Sequence, residues 1–279
     1  MLYANTGPWV EPAAAVELVR DAEAAGIESV WTVEHVVVPA GYTSQYPYNA
    51  SGRMAGGEDA PIPDPLVWLT WAGAHTTTLR LATGILILPQ RNPVVTAKTV
   101  ATLDALTGGR VILGVGIGWL REEFDAIGVP FAGRGRRTEE WIAAMRVLWG
   151  EDHPTFRGEE ISFSDARSWP KPVRRSVPIV VGGHTEASAR RAGRIGDGYF
   201  PGRATVDELT TLIGVMRAAA TEAGRDPASI EVTAGGRPDA ETVERYRELG
   251  IDRLAIVPPG RERAQWREGM AAAVDAASA

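Results

Sequence analysis

The stretch that decides the fold runs from Arg80 to Trp119, RLATGILILPQRNPVVTAKTVATLDALTGGRVILGVGIGW. It reads as strand, helix, strand. Both apolar runs are nearly continuous in Leu, Ile and Val rather than alternating, which suits strands covered by helices on two faces and predicts parallel pairing. Between them Asn92 can cap the helix, Pro93 occupies its first turn, where a missing N–H costs nothing, and Gly108 can end it in the left-handed conformation. Each strand finishes in turn-forming or small residues: Pro89-Gln90-Arg91-Asn92-Pro93 after the first, and Gly114, Gly116 and Gly118 at the second. In parallel α/β proteins, ligands bind at such strand ends.

Working outward, apolar runs predict eight strands, near residues 2–5, 28–33, 80–87, 110–115, 178–182, 198–200, 230–234 and 252–257. Helices with start and stop marks fall between them, from Pro12 to Gly26, Asn92 to Gly108, Thr138 to Gly150 and Asp239 to Gly250. Another opens with a Thr205–Glu208 capping box and closes at Gly224. Eight strands joined by right-handed crossovers predict one (β/α)₈ TIM barrel across residues 1–279 rather than an open doubly wound sheet. Two excursions interrupt the alternation. Ala40 to Pro65 is a long loop after strand 2, and Phe156 to Pro172 is an irregular hairpin inserted before strand 5; excursions of this kind cover sites.

With 279 residues, 44% of them hydrophobic, the chain can bury a barrel-sized core. Its net charge of −6 offers no electrostatic footprint for nucleic acid. Zero cysteines remove disulfides, thiolate nucleophiles and cysteine metal sites, and the four histidines are scattered without metal-ligand spacing. No basic start leads into an apolar core, and no run approaches the roughly 20 apolar residues of a membrane span, so a soluble cytoplasmic protein is expected.

Chemistry should gather at the strand ends. Glu34 and His35 follow strand 2 where the chain enters its longest loop. There an imidazole can move a proton near neutral pH or donate to a developing negative charge, although a hydrogen-bonded structural histidine fits equally. Gly114, Gly116 and Gly118 lack the spacing of the dinucleotide fingerprint; they permit either close approach of a flat ligand or tight packing. Val180-Val181-Gly182-Gly183-His184-Thr185 sets small residues and free amides before a helix start, which suits a phosphate site, the alternative being a simple strand-to-helix turn with Thr185 as cap. Gly196-Asp197-Gly198-Tyr199-Phe200-Pro201-Gly202-Arg203 brings a second backbone-rich loop to the same face, with Arg203 as an electrostatic addition. Arg134, Arg136 and Arg137 are read as structural, paired with Glu139 and Glu140 or solvated, and the Trp141-Ile142-Met145-Leu148-Trp149 stripe as barrel packing.

Taken in order, Glu34-His35, TGILILPQRNP, GVGIGW, VVGG and GDGYFPG resemble the bacterial-luciferase-like superfamily over nearly the whole chain, in particular its actinobacterial branch using coenzyme F420. The resemblance implies a (β/α)₈ barrel and a non-proline cis peptide at Gly84-Ile85 that backs the deazaflavin. It also implies that Gly116, Ile117 and Gly118 line the cofactor, that amides of Val181, Gly182, Gly183 and Gly202 hold its phosphate, and that His35 lies beside the reacting carbon. Sugar-phosphate dehydrogenases of the family have a catalytic glutamate where this chain has Trp119. With Trp68, Tyr42, Tyr46 and Tyr48, that tryptophan suggests an apolar or aromatic substrate. Relatives usually carry a few more residues before the stretch matching Tyr3–Gly7. The expectation is an F420-dependent oxidoreductase acting on a small molecule as a homodimer. The alternatives are an FMN-dependent monooxygenase, a barrel isomerase or aldolase using His35 as base, and a non-catalytic flavin-binding protein.

Overall fold

In the computed structural model, which describes residues 1–202, 204–257, 260 and 262–278, eight parallel strands follow one another around a barrel. They are β1 (Leu2–Tyr3), β2 (Ser29–Thr32), β3 (Arg80–Thr83), β4 (Val111–Gly116), β5 (Ile179–Gly182), β6 (Gly198–Phe200), β7 (Glu231–Gly235) and β8 (Arg253–Ala255). A further pair, Leu86–Ile87, continues β3 beyond Gly84-Ile85 and pairs with β4. The ring closes where Leu2 bridges Ile256, with the Tyr3 N–H donating to the Ile256 carbonyl at 3.0 Å. The protein is a (β/α)₈ barrel, and its strands fall where the apolar runs predict them.

The helices are α1 (Pro12–Ala24), α2 (Pro65–Ala74), α3 (Pro93–Leu106), α4 (Arg121–Ala126), α5 (Arg134–Gly150), α6 (Glu186–Ile195), α7 (Val206–Glu222), α8 (Ala240–Leu249) and α9 (Arg263–Ser278). Their punctuation is local chemistry. Asn92 accepts from the amides of Val94 and Val95 to start α3, Thr205 and Glu208 form a reciprocal capping box for α7, and Gly250 ends α8 at φ 70°.

Three details differ from the sequence reading. Helix α5 begins at Arg134, not Thr138, after Gly133 turns the chain at φ 73°. Helix α2 carries no helical period in the sequence, because PLVWLTWAGA is apolar on every side. The arginines at the head of α5 do not pair with Glu139 and Glu140. Arg136 reaches Glu159 (2.5 Å) and Arg137 reaches Glu160 (2.7 Å) on the antiparallel hairpin of Phe156–Arg157 and Ser162–Phe163, while Glu139 holds Arg191 and Arg194 of α6.

Successive strand residues face opposite sides. Val111 and Leu113 pack outward under the helices with Leu81, Trp141 and Trp149, whereas Ala82, Ile112, Val180 and Phe200 fill the barrel around the fully buried Trp31. The indole of Trp31 reaches 3.4 Å from where a Cβ on Gly114 would lie, and the Thr83 carbonyl lies closer still. Gly114 is therefore glycine because the barrel interior is full, not because a ligand needs its backbone.

Candidate active site

The carboxyl ends of β1 to β6 build one mouth. Beyond β2, the side chain of Asn5 clamps the backbone of Val33 in both directions, accepting from its N–H and donating to its carbonyl, each at 2.9 Å. This fixes the chain just before Glu34 and His35. The His35 side chain is largely buried, and its Nδ1 faces Glu123 Oε2 at 3.1 Å. Glu123 is fully buried, and its Oε1 accepts from the N–H groups of Val36 (2.6 Å) and Val37 (3.4 Å). The preceding Glu122 pins the loop further on by accepting from the backbone and hydroxyl groups of Thr43 and Ser44. Those bonds hold its carboxyl down to about 2. The start of α4 thus anchors two points of the long loop.

Glu34 points elsewhere. Its carboxylate, 5% exposed, accepts from the Ile87 N–H and from both Nε and Nη2 of Arg91. Burial lifts its carboxyl above the usual carboxylate range despite the pull of Arg91. Arg91 continues to Asp64 at 2.7 Å, and Asp64 caps α2 through the amides of Leu66 and Val67.

At the end of β3, the Gly84-Ile85 peptide is cis, as the resemblance implies. The Tyr3 hydroxyl donates to the Gly84 carbonyl at 2.8 Å from below. The half-buried Ile85 side chain lies across the neighbouring strands: a Cβ on Gly116 would sit 2.5 Å from Ile85 Cδ1, and one on Gly182 2.5 Å from Ile85 Cγ2. Gly118, at φ 76°, makes room for Ile87 and Phe124. Gly84, Ile85, Gly116 and Gly182 therefore form one platform, in which the glycines directly receive an isoleucine. Ile117 and Trp119 stay partly exposed beside it.

The phosphate expectation needs correction at two residues. Val181 lies buried within the ladder, in register with Val115 and Tyr199, and the Gly183 N–H donates to the Phe200 carbonyl at 3.0 Å. Gly183 accordingly owes its glycine to φ 131° and to Ser188, which a Cβ would meet at 2.8 Å. Donors without an intrahelical partner lie one step on, in the first turn of α6 at Glu186 and Ala187. The Glu186 carboxylate turns away from them to Arg190 (2.9 Å). Gly202, at φ 76°, abuts Tyr48, and the Tyr48 ring meets His184 with centroids 4.9 Å apart. His184 also borders a cavity of about 350 Å³ lined by Glu186, Asp207 and Glu208. Arg203 lies outside the described residues.

An aromatic wall joins the two ends of the mouth. Trp119 contacts His35 (5.6 Å), Tyr42 (5.5 Å) and Tyr46 (5.2 Å), all edge to face, and Tyr46 meets Tyr48 (5.6 Å). Trp68 does not join it. Its indole donates to the Trp9 carbonyl at 2.9 Å in the layer outside the barrel, because α2 turns that side chain toward the turn that precedes α1.

Two site residues escaped the sequence reading. Glu123 is 88 positions from its histidine partner, and its only local mark is an acidic residue just past a barrel strand end. Arg91 carried a stronger one, a charge inside the turn that follows β3. Among the described residues no group of His, Asp and Glu is arranged to hold a metal ion, and no helix is long and apolar enough to cross a membrane.

The chain is similar to several known proteins. The F420-dependent glucose-6-phosphate dehydrogenase of Kineococcus radiotolerans is 32% identical over 83% of this chain and 65% of its own length. The FMNH(2)-dependent dimethylsulfone monooxygenase of Pseudomonas putida is 37% identical over 54% of this chain and 42% of its own. An F420-dependent secondary alcohol dehydrogenase, solved with an F420-acetone adduct, superimposes with TM-score 0.80 at 21% identity over 99% of this chain and 98% of its own, which speaks to the fold. The model of the luciferase-like monooxygenase family matches residues 2–276. With the barrel, the mouth and that match in hand, the chain belongs to the luciferase-like monooxygenase family, whose members related to it include both F420-dependent and FMN-dependent oxidoreductases.

Proposed function

We propose that the protein is a coenzyme F420-dependent oxidoreductase that transfers a hydride between the deazaflavin and a small apolar or aromatic organic molecule. The observation that carries this reading is the meeting, at one barrel mouth, of a carboxylate-held imidazole, an uncharged aromatic wall and the Ile85 platform. The residues suit a flat ring. Ile85 presents an apolar ridge seated on glycines, and Gly116, Ile117 and Gly118 continue it along the end of β4. When bound, the deazaflavin supplies the carbon that gives or takes the hydride. Gly202, His184 and the first-turn amides of α6 would hold its phosphate.

Each remaining group has one task. His35 accepts a substrate proton or returns it. Trp119, Tyr42 and Tyr46 press the substrate toward the platform and keep water out. Glu34 positions: its buried carboxyl is committed to Arg91 and Ile87, tying the end of β2 to the end of β3. A tryptophan at position 119 leaves a sugar phosphate without a carboxylate partner there. The exposed apolar residues of α2 and α3, Val67 (70% exposed), Trp71 (46%) and Leu106 (75%), would meet a second copy of the chain.

The second reading, an FMN-dependent monooxygenase, draws on the dimethylsulfone monooxygenase relative. Separate fluorescence titrations with F420 and FMN test the choice on the wild type, His35→Ala and Gly183→Trp. F420 should bind wild type and His35→Ala at least tenfold more tightly than FMN does, and Gly183→Trp should weaken it. Tight FMN with no F420 binding selects the monooxygenase, and binding of neither removes both readings.

A further inference from the structure

We infer that Glu123 fixes the tautomer of His35, placing the hydrogen on Nδ1 and leaving Nε2 as the ring's free acceptor; this rests on reading His35 as the proton-handling group. Glu123 holds its surroundings through both carboxylate oxygens. One carboxylate oxygen already accepts the amides of Val36 and Val37, and the other faces Nδ1 at 3.1 Å. An ionised carboxylate only accepts, so the nitrogen opposite it must donate. A neutral imidazole has a single N–H, and using it at Nδ1 strips Nε2 of hydrogen. Nε2 makes no hydrogen bond among the described residues, so nothing on the other side of the ring opposes that choice.

A second neighbour also confines the ring. Trp119 packs edge to face against it with an interplanar angle of 84° and centroids 5.6 Å apart. The backbone of the next two residues is bonded to the same carboxylate that holds the ring, so Glu123 sets both where His35 sits and which nitrogen works. Glu123 is a positioning residue, since it acts through His35.

Glu123→Gln isolates this role. The amide keeps an oxygen for Val36 and Val37 and nearly the same volume, but presents an NH₂ group to Nδ1, which must then accept. The ring hydrogen should move to Nε2. The direct readout is the ¹⁵N spectrum of the imidazoles in ¹⁵N-histidine-labelled protein, recorded without cofactor at pH 8, above the ordinary imidazole range. The chain has four histidines, so His35→Ala assigns the signal by its loss. Wild type should show the Nδ1–H form over the Nε2–H form by at least tenfold, and Glu123→Gln the reverse. The expected cost to turnover is tenfold or more in kcat, with KM and cofactor affinity within twofold, and Glu123→Asp should restore part of it. A wild-type ring with hydrogen on Nε2, a doubly protonated ring, or unchanged shifts in Glu123→Gln would overturn the inference. If Glu123→Gln does not fold, the wild-type spectrum decides alone. Because the spectrum needs no cofactor, failure of F420 to bind leaves this result standing.

Discussion

Replacing Arg91 with methionine should separate a positioning role for Glu34 from a chemical one. The substitution keeps a long apolar stem but removes the two N–H groups that Arg91 Nε and Nη2 donate to a carboxylate that is 5% exposed. Breaking one side of a buried ion pair costs about 3–5 kcal/mol, because the remaining charge is left without a partner. The second arm of Arg91, to the half-exposed Asp64, adds at most about 1 kcal/mol. Urea unfolding at pH 8 should therefore lose more than about 1 M in midpoint, taking a slope of roughly 3 kcal/mol/M.

The pH dependence gives the sharper test. Burial already raises the Glu34 carboxyl in the folded state, and without Arg91 it rises further. A raised carboxyl penalises the fold only when ionised. The penalty is absent below the unfolded-state value of about 4.3, grows as pH rises toward the folded-state value and is complete above it. The difference between wild type and Arg91→Met should shrink steadily from pH 8 to pH 5. A loss below 1 kcal/mol, or one equal at both pH values, would refute the reasoning. Glu34→Gln, which removes the charge along with its need for Arg91, should lose less than Arg91→Met at pH 8.

Two further outcomes follow from the platform and the outer helices. Gly182→Ala places a Cβ 2.5 Å from Ile85 Cγ2, and overpacking of this kind costs about 1–3 kcal/mol as the isoleucine is pushed aside. F420 affinity should fall at least tenfold while the circular dichroism spectrum is retained. Gly214→Ala, with nothing within 4 Å of its Cβ, is the neutral control, and wild-type affinity in Gly182→Ala would remove Ile85 from the cofactor platform. The pair Trp71→Glu and Leu106→Glu should convert a dimer to a monomer by light scattering; a monomeric wild type or an unchanged dimer in the double variant would reject the α2–α3 face.

The barrel was legible because its strands are buried on both faces and so read as unbroken Leu, Ile and Val, with Asn92, Thr205 and Gly250 marking helix ends through bonds to residues within a few positions. Such signals are local. What failed to show was non-local. Arg136 and Arg137 cross 23 residues to a hairpin rather than pair along their own helix, and Glu123 meets a histidine 88 positions away. Glycine is a half-legible case. The sequence shows that Gly116 and Gly182 need bare backbone, but only the fold shows that the space belongs to Ile85. Trp68 misled because an aromatic residue beside a site loop resembles a pocket lining, and its direction depends on how α2 is turned.

The bridge between Leu2 and Ile256 has a consequence for how the chain is made. Strand β1 has β2 on one side early in synthesis, but its other edge waits for a partner 254 positions downstream. At 5–20 residues per second that wait lasts about 13 to 50 s on the ribosome. For that interval the nascent half-barrel presents an open strand edge, the template on which neighbouring chains pair. Yield in a cell should therefore depend on how that edge is shielded during translation as well as on the stability of the finished barrel.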